Sequence, residues 1–291
     1  MNPMNLQWGE FYYIAAKFLL MNFIAHNILL DNKQKTIPNS PYLIAENSWW
    51  RAARKTINLF IKDEDKSQLR SVDLGCLEGG YAVEFARMGF QSLGIEAREE
   101  NISKCNYVKQ NLNLPNLSFI KDDVRNLPNY GAFDVTFCYG LLYHLDDPAS
   151  FLKTMGDCTK KILLLHTHFA LENDYAYDLG ISKALSPIQK RLKFLDTRRN
   201  YKLSKITTNE GYKGRWYGEW QPNADKQSIE KNLEASYNNP RSFWPTKKEL
   251  TKMIHAAGFD SVFEQFDFTG DTTTENYTEY NQRTMFVGLK H

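Results

Sequence analysis

The sequence predicts an α/β protein whose core is a doubly wound, mostly parallel sheet with helices on both faces. Two observations support this prediction. Short apolar runs alternate with amphipathic stretches between residues 71 and 161, and a glycine-rich turn follows directly after the first apolar run. The length of 291 residues is large for one ordinary domain and small for two complete ones, so we expect one core with additions.

The elements of the predicted core follow in chain order as strands separated by helices. The first five strands are the apolar runs Ser71–Leu74, Ser92–Ile95, Leu117–Ile120, Phe133–Cys138 and Ile162–Leu165. Apolar residues recur at three- and four-residue spacing in the helices Gly80–Met88, Glu99–Asn111 and Pro148–Asp157. The helix Pro245–Ala257 and the strands Ser261–Phe268 and Thr284–Leu289 complete a seven-stranded sheet with an antiparallel last strand.

The same pattern divides the chain into three parts. Residues 1–68 form an N-terminal helical segment, residues 69–168 and 242–291 form the core, and residues 169–241 interrupt the core as a cap. Because the insertion follows the carboxyl end of a strand, where open α/β sheets bind ligands, we expect the cap to cover the substrate. The cap is rich in aromatic and basic residues, the latter including Lys190, Arg191, Lys193, Arg198, Arg199, Lys202 and Lys205.

The N-terminal segment contains an apolar stretch, Phe11–Leu30, that approaches the length of a membrane span. Lys17, Asn22, His26 and Asn27 lie inside it and argue against a span, and the basic start and cleavage site of a signal peptide are lacking. We expect a buried helix, or a helix through which two copies form a homodimer. A helix lying on a membrane surface is the alternative.

Composition narrows the class of protein further. The chain has 42% hydrophobic and 24% charged residues and a net charge of +2, which is globular composition without a charge excess that favours DNA or an acidic membrane. The 4 cysteines form no CxxC pair, so neither a zinc site nor a disulfide scaffold is predicted. We expect a cytoplasmic protein.

The glycine-rich turn is the first candidate binding site. Gly75, Gly79 and Gly80 follow the first strand, and a backbone without Cβ atoms can approach a cofactor closely. A tight turn without a ligand is the structural alternative. Glu96 favours the binding site, because it ends the second strand about twenty residues on, where a carboxylate accepts hydrogen bonds from both ribose hydroxyls.

Four successive segments resemble the Rossmann-like class I methyltransferases that use S-adenosylmethionine: VDLGCLEGG with Asp73, GIEAR with Glu96, FIKDDV with Asp123, and FDVTFCYGLLYHLDDP. The resemblance implies that the first segment holds the methionine portion of the cofactor, Glu96 the ribose and Asp123 the adenine amino group, above a floor formed by the fourth. Leu77 stands where the family usually has its middle glycine. The expected cofactor residues are Asp73, Gly75, Leu77, Gly79, Glu96, Ala97, Asp123, Val124, Tyr139 and Trp50. A dinucleotide-dependent oxidoreductase is the competing interpretation, but its GxGxxG motif is absent after Gly75.

Three histidines are candidates for chemistry. His144 directly follows the fourth strand and is the candidate general base for an acceptor hydroxyl, with a structural role in its loop as the alternative. His166 and His168 alternate at the end of the fifth strand and therefore share a face. We expect both to line the substrate pocket. A divalent-metal site with His144 is the alternative, and no metal is predicted because no carboxylate has a matching spacing.

Aromatic and basic residues form two further candidate surfaces. ENSWWRAARKT is typical of a helix capped by Asn47 or Ser48, whose basic face either binds an anionic group or lies in solvent. In the cap, RWYGEW contains Arg215, Trp216 and Tyr217, which can hold a sugar ring, a phosphate or a base. Packing within the cap is the alternative for these aromatic residues.

The segments SWWRAARKT, GLLYH, NPRSFWPTKKEL and NQRTMFVGL are also similar to those of tRNA wobble-uridine carboxymethyltransferases, which use a carboxylated form of the cofactor. In that family basic and tyrosyl groups bind the extra carboxylate, which implies Lys55, Tyr143 and Arg283 here. We expect O-methylation of a small molecule, a glycan or a nucleotide sugar first, and tRNA modification second. A non-catalytic cofactor-binding or scaffold protein is the third hypothesis.

Overall fold

The structure is a computed structural model that describes residues 21–172, 203–221, 223–233, 235–265 and 282–291. The strands are β1 (Arg70–Leu74), β2 (Gln91–Glu96), β3 (Leu117–Lys121), β4 (Phe133–Tyr139), β5 (Thr159–His168), β6 (Thr207–Asn209), β7 (Tyr212–Gly218), β8 (Arg241–Pro245), β9 (Ser261–Gln265) and β10 (Arg283–Leu289). Seven of them form the main sheet in the order β3-β2-β1-β4-β5-β10-β9. Strands β1 to β5 are parallel, and β10 is antiparallel to both of its neighbours.

Helices cover both faces of the main sheet. They are α1 (Ser48–Phe60), α2 (Gly80–Arg87), α3 (Glu99–Gln110), α4 (Pro148–Cys158) and α6 (Lys247–Ala256), whereas the short helix α5 (Lys226–Lys231) belongs to the cap. Side chains of α1, α2 and α3 pack on one face around Trp50 and Phe137, and those of α4 and α6 pack on the other around Phe151 and Leu250. The strand order changes direction between β1 and β4, so a ligand crevice lies at their carboxyl ends.

The sequence predicted this core well. The seven-stranded sheet with its antiparallel last strand is confirmed. The predicted helix Pro245–Ala257 starts too early, because Pro245 ends β8 and Thr246 caps α6 by accepting a hydrogen bond from the backbone of Glu249. Residues 266–268 of the predicted strand Ser261–Phe268 lie outside the described residues.

A second, three-stranded sheet covers the carboxyl end of the main sheet, and the sequence analysis did not predict it. Its order is β6-β7-β8, with antiparallel pairing throughout. The hairpin between β6 and β7 turns at Glu210 and Gly211, whose φ angles are 50° and 85°. A two-residue turn ending in glycine, followed by a run of alternating side chains, was the signal that could have revealed it.

The N-terminal segment differs from its prediction. Residues 21–30 are not helical, so the predicted helix Phe11–Leu30 is wrong over its described part, and residues 11–20 lie outside the described residues. The backbone N–H groups of Ile24, Ala25 and His26 donate to the buried carboxylate of Glu78 instead of to carbonyls of a helix. Within the described ranges, no helix has the length and apolar character needed to cross a membrane. The homodimer stays a prediction.

Candidate active site

A cavity of about 520 Å³ opens at the carboxyl ends of β1, β2 and β4, beneath the second sheet. The cavity wall includes most of the predicted cofactor residues, namely Asp73, Gly75, Leu77, Glu96, Ala97, Asp123, Val124 and Tyr139. Four predicted catalytic or substrate residues, His144, Tyr143, Tyr217 and Arg283, also line it. The structure therefore brings together segments that are far apart in the sequence. Their roles toward cofactor and substrate stay predictions.

The glycine-rich turn keeps its path although a leucine occupies its middle position. Gly75 has a φ angle of 67° and Leu77 one of 51°, a left-handed conformation that costs a leucine about 1–2 kcal/mol. Two contacts hold Leu77 there: its backbone N–H donates to Glu96 Oε2 at 2.9 Å, and the thiol of Cys105 lies 3.2 Å from its carbonyl oxygen. These contacts of the Leu77 backbone therefore preserve the path of the loop although a side chain is present.

Acidic residues of three successive strand ends surround the cavity. The carboxyl of Asp73 is buried and accepts a hydrogen bond from the backbone of Ala82, and its burial raises its pKa to about 8. Burial also raises the pKa of Glu96, whose oxygens accept hydrogen bonds from two backbone N–H groups. Asp123 accepts from the backbone of Arg125. Carboxylates suit the ammonium, ribose hydroxyls and adenine amino group of S-adenosylmethionine, so the residues present fit this cofactor.

His144 stands at the cavity wall on a short 3-10 turn, Leu142–His144, that follows β4. Its Nδ1 lies 3.0 Å from Oε1 and 3.1 Å from Oε2 of Glu219. Glu219 is buried and follows β7 in the cap. Glu219 lies in RWYGEW, where only the aromatic and arginine residues were predicted to have a role. In the sequence, Glu219 is visible only as a carboxylate among aromatic residues. Its distance along the chain gives no indication that it contacts His144.

Tyr143 and Arg283 form a second polar pair at the cavity. A guanidinium N–H of Arg283 donates to the Tyr143 hydroxyl at 3.1 Å, and the guanidinium carbon lies 5.4 Å from the centre of the tyrosine ring. Nε of Arg283 is buried and has no hydrogen-bond partner among the described residues. Lys55, the third residue implied by the resemblance to carboxymethyltransferases, is exposed on α1 and is not among the residues that line the cavity.

Two predicted cofactor residues do not line the cavity. Trp50 is completely buried in the core, where its ring packs edge-on against Phe85 and Phe137. Gly79 is the N-cap of α2, and a Cβ there would lie 2.7 Å from the ring of Phe119. Packing accounts for both residues in the structure, and their contact with a cofactor stays a prediction.

The two histidines of β5 lie behind the cavity wall rather than on it. His166 stacks on Tyr139 with ring centres 4.1 Å apart, and its burial holds its pKa well below the usual value, so the ring is neutral. His168 stacks on Trp244 at 4.7 Å and hydrogen-bonds through Nδ1 to the carbonyl of Gln282. Across the described part of the chain, no three His, Cys, Asp or Glu side chains are grouped closely enough to hold a metal ion.

The other residues predicted to bind substrate from the cap do not line the cavity or lie outside the described residues. Arg215 is buried and donates to the carbonyls of Leu171 and Ser204, so it holds cap segments together. Trp216 packs against Phe243 and Arg241, away from the cavity. The basic residues Lys190, Arg191, Lys193, Arg198, Arg199 and Lys202 lie outside the described residues, whereas Lys205 is described and exposed.

Arg98 is a second residue that the sequence analysis missed. Its guanidinium donates to the carbonyls of Asn232 and Ala235, each at 2.9 Å, and lies 5.2 Å from the ring centre of Tyr237. Asn238, two residues after Ser236 on the same cap segment, contacts the Asp123 carboxylate. Arg98 thus fastens the cap segment that includes Ile229, Asn232 and Ala235 at the cavity. It is the last residue of GIEAR, but the hydrogen-bond acceptors of its guanidinium are carbonyls, which leave no signal in the sequence.

The doubly wound seven-stranded sheet and the acidic residues around the cavity at its carboxyl edge define the class of S-adenosylmethionine-dependent methyltransferases. The sequence profile of a family described as methyltransferase domain matches residues 65–258, and the chain belongs to that family. Among solved structures, the N-terminal domain of EvdMO1, determined with S-adenosylhomocysteine and D-fucose, has the same fold. It aligns with a TM-score of 0.63 and 21% identity over 96% of this chain and 97% of that one.

Curated relatives match the chain over shorter segments. The tRNA U34 carboxymethyltransferase of Campylobacter hominis is 30% identical over 120 residues, which are 40% of this chain and 41% of the relative. A ubiquinone biosynthesis O-methyltransferase of Colwellia psychrerythraea is 29% identical over 94 residues, or 32% of this chain and 38% of the relative. The matches thus span about two fifths of these relatives' length.

Proposed function

We propose that this chain transfers a methyl group from S-adenosylmethionine to a hydroxyl group of a sugar or another small molecule. The observation that carries the proposal is the His144–Glu219 pair at the wall of a cavity that Asp73 and Glu96 also line. A hydroxyl must lose its proton during transfer, and a histidine oriented by a carboxylate is suited to accept it.

S-adenosylmethionine, when bound, supplies a methyl group on a positively charged sulfur. In the proposed reaction the acceptor oxygen would bond to the methyl carbon as the carbon–sulfur bond breaks and its electron pair stays on sulfur, and Nε2 of His144 would take the hydroxyl proton. Most of the rate comes from holding the two reactants in line at attack distance, which an enclosed cavity provides. The second sheet and the cap segment fastened by Arg98 enclose it here.

Aromatic residues favour a sugar as the acceptor. Tyr217 lines the cavity, and one face of its ring stacks on the buried ring of Trp244 with ring centres 4.8 Å apart and planes 16° from parallel. Aromatic surfaces of this kind suit the apolar face of a sugar ring. The N-terminal domain of EvdMO1, with which the chain aligns almost completely, was crystallised in the presence of D-fucose. The name of the ubiquinone-pathway relative adds support for oxygen as the methylated atom.

The test is a product assay with methyl-labelled S-adenosylmethionine and a panel of free sugars, nucleotide sugars, phenols and tRNA. The proposal predicts a labelled methyl ether on a sugar or other small hydroxyl compound, detected by mass spectrometry. Label on a nitrogen or carbon atom, or label on no small molecule while tRNA is labelled, would contradict it.

Modification of tRNA with a carboxylated cofactor is the second candidate. The Tyr143–Arg283 pair at the cavity wall favours it, because a guanidinium and a phenol can together bind an added carboxylate. The similarity to a tRNA U34 carboxymethyltransferase points the same way. Preferential binding of carboxy-S-adenosylmethionine, lost in Arg283→Gln, together with salt-sensitive tRNA binding, would favour this candidate over the first.

A further inference from the structure

We propose that Glu219 is a positioning residue that fixes the tautomer and orientation of His144, so that the docked cap completes the proton acceptor. This inference rests on the proposed function, in which His144 accepts the acceptor proton. It assigns to the cap a part in catalysis beyond covering the substrate.

The tautomer follows from the hydrogen-bond chemistry of the pair. A carboxylate only accepts hydrogen bonds, and both Glu219 oxygens lie at 3.0–3.1 Å from Nδ1 of His144. Nδ1 therefore carries a proton, and in the neutral form of the ring the free lone pair is on Nε2. Among the described residues no group hydrogen-bonds to Nε2, and His144 lines the cavity. The ring is thus held in the form that can accept a proton from a bound hydroxyl.

Glu219 is itself held by neighbours in the cap and in β8. The backbone N–H of Ser236 donates to Oε2 at 2.9 Å, and the hydroxyl of Ser242 donates to Oε1 at 2.5 Å. A carboxylate that accepts from several fixed donors in a buried site cannot rotate freely, so its direction toward His144 is set by the cap. The direction of the carboxylate is therefore set by protein groups.

The cap and the histidine loop are joined by further contacts, so their alignment is defined. The side-chain amide of Asn239 donates to the carbonyl of His144 at 2.9 Å, and the backbone N–H of Phe243 donates to the carbonyl of Leu145 at 2.9 Å. His144 belongs to the loop after β4, whereas Glu219, Asn239 and Phe243 belong to the cap and the strand that follows it. Displacement of the cap would therefore remove the partner of Nδ1 and free the ring to rotate.

A purely structural role is the competing explanation, in which Glu219 only ties Ser236 to Ser242. The two roles differ in what the loss of Glu219 does once His144 is gone. A positioning residue acts through the histidine, so its substitution should not lower kcat any further in a protein that already carries His144→Ala. If the role of Glu219 is structural, its substitution should lower kcat by the same factor in the wild type and in His144→Ala.

The experiment measures kcat, the KM of the acceptor and the Kd of the cofactor for the wild type, Glu219→Gln, His144→Ala and the double variant. Glu249→Gln is the matched control, because Glu249 is also a mostly buried glutamate, pairs with Lys252 and does not line the cavity. We expect Glu219→Gln to lower kcat about 100-fold with KM and Kd changed less than about threefold. We expect the double variant to equal His144→Ala, and the control to equal the wild type.

The outcomes separate the two proposals. Wild-type turnover in His144→Ala overturns both the base role and the positioning role. Loss of turnover in His144→Ala with normal kcat in Glu219→Gln, or losses that multiply in the double variant, overturns the positioning role alone.

A measurement on the unaltered protein covers the case in which Glu219→Gln does not fold. Histidine ring ¹H–¹⁵N correlation spectra, assigned by the signals that vanish in His144→Ala, report which ring nitrogen carries the proton. A neutral His144 protonated on Nδ1 supports the proposal, and one protonated on Nε2 overturns it.

Discussion

Glu78, within the glycine-rich turn, holds the N-terminal segment against the cavity. Its carboxylate is completely buried and accepts hydrogen bonds from the backbone N–H groups of Ile24, Ala25 and His26 at 2.8–3.0 Å. It also lies 3.2 Å from the ammonium of Lys104, which is 3% exposed. Ala25 and His26 line the cavity, so this anchor connects the stability of the segment to cofactor binding.

The substitution Glu78→Ala leaves three backbone donors and a buried ammonium without this acceptor. Removing one partner of a buried ion pair costs about 3–5 kcal/mol, and we expect the free energy of unfolding to fall by that amount. Glu100→Ala is the matched control, since Glu100 lies 3.1 Å from the same ammonium but is 51% exposed. An exposed pair of this kind contributes about 0–1 kcal/mol.

Urea unfolding followed by tryptophan fluorescence measures both variants, and calorimetric titration measures their affinity for S-adenosylmethionine. We expect the Kd of the cofactor to rise at least about tenfold in Glu78→Ala, because residues 24–26 lose their anchor, and to stay unchanged in Glu100→Ala. Equal losses of stability in the two variants, or a destabilised Glu78→Ala that binds the cofactor normally, would refute this reasoning.

Three further predictions concern the cavity. Arg98→Ala should raise the Kd of the cofactor about tenfold and make residues 226–239 more sensitive to proteases, since the cap is then closed in only a fraction of molecules. An unchanged Kd would contradict the role of Arg98 in holding the cap. Burial raises the pKa of Asp73 to about 8, so the free protein keeps this carboxyl protonated at lower pH, and a cofactor cation beside it favours ionisation. Calorimetry in buffers of different ionisation enthalpy should therefore show up to about one proton released per cofactor bound near pH 6–7, and almost none well above pH 8. The affinity for the cofactor should rise with pH over the lower range. Binding heats that do not depend on the buffer would contradict this prediction. Leu77→Gly should leave the Kd within about threefold, because a φ angle of 51° suits glycine, and a tenfold loss would show that the leucine side chain itself matters.

The core could be predicted because its signals are local. The five strands from Arg70 to His168 are apolar runs, three of them followed by an amphipathic helix, and the acidic residues of the cavity lie at strand ends. The regular βαβ connection then determines which strand ends meet. Asp73, Glu96 and Asp123 could therefore be assigned to one site without any three-dimensional information.

The cap side of the site could not be predicted, because its contacts join residues far apart in the chain. Glu219 meets His144 across 75 positions, and Arg98 is held by carbonyls more than 130 residues away. Every residue has a backbone carbonyl, so no sequence pattern indicates which carbonyls accept these hydrogen bonds. His166 and His168 were expected on the cavity wall by strand alternation, but alternation cannot show that Tyr139 and Trp244 stand in front of them.

Calorimetric titration of S-adenosylmethionine into the wild type and Glu96→Gln tests most directly whether the cavity binds the methyl donor. The carboxylate of Glu96 is the group assigned to the two ribose hydroxyls, and hydrogen bonds to a charged acceptor contribute about 1.5–3 kcal/mol each. We predict one site per chain in the wild type and about 100-fold weaker binding in Glu96→Gln, with Glu99→Gln, an exposed neighbour, unchanged. No binding to the wild type, or equal affinity in the wild type and Glu96→Gln, would contradict the assignment of this cavity to the cofactor.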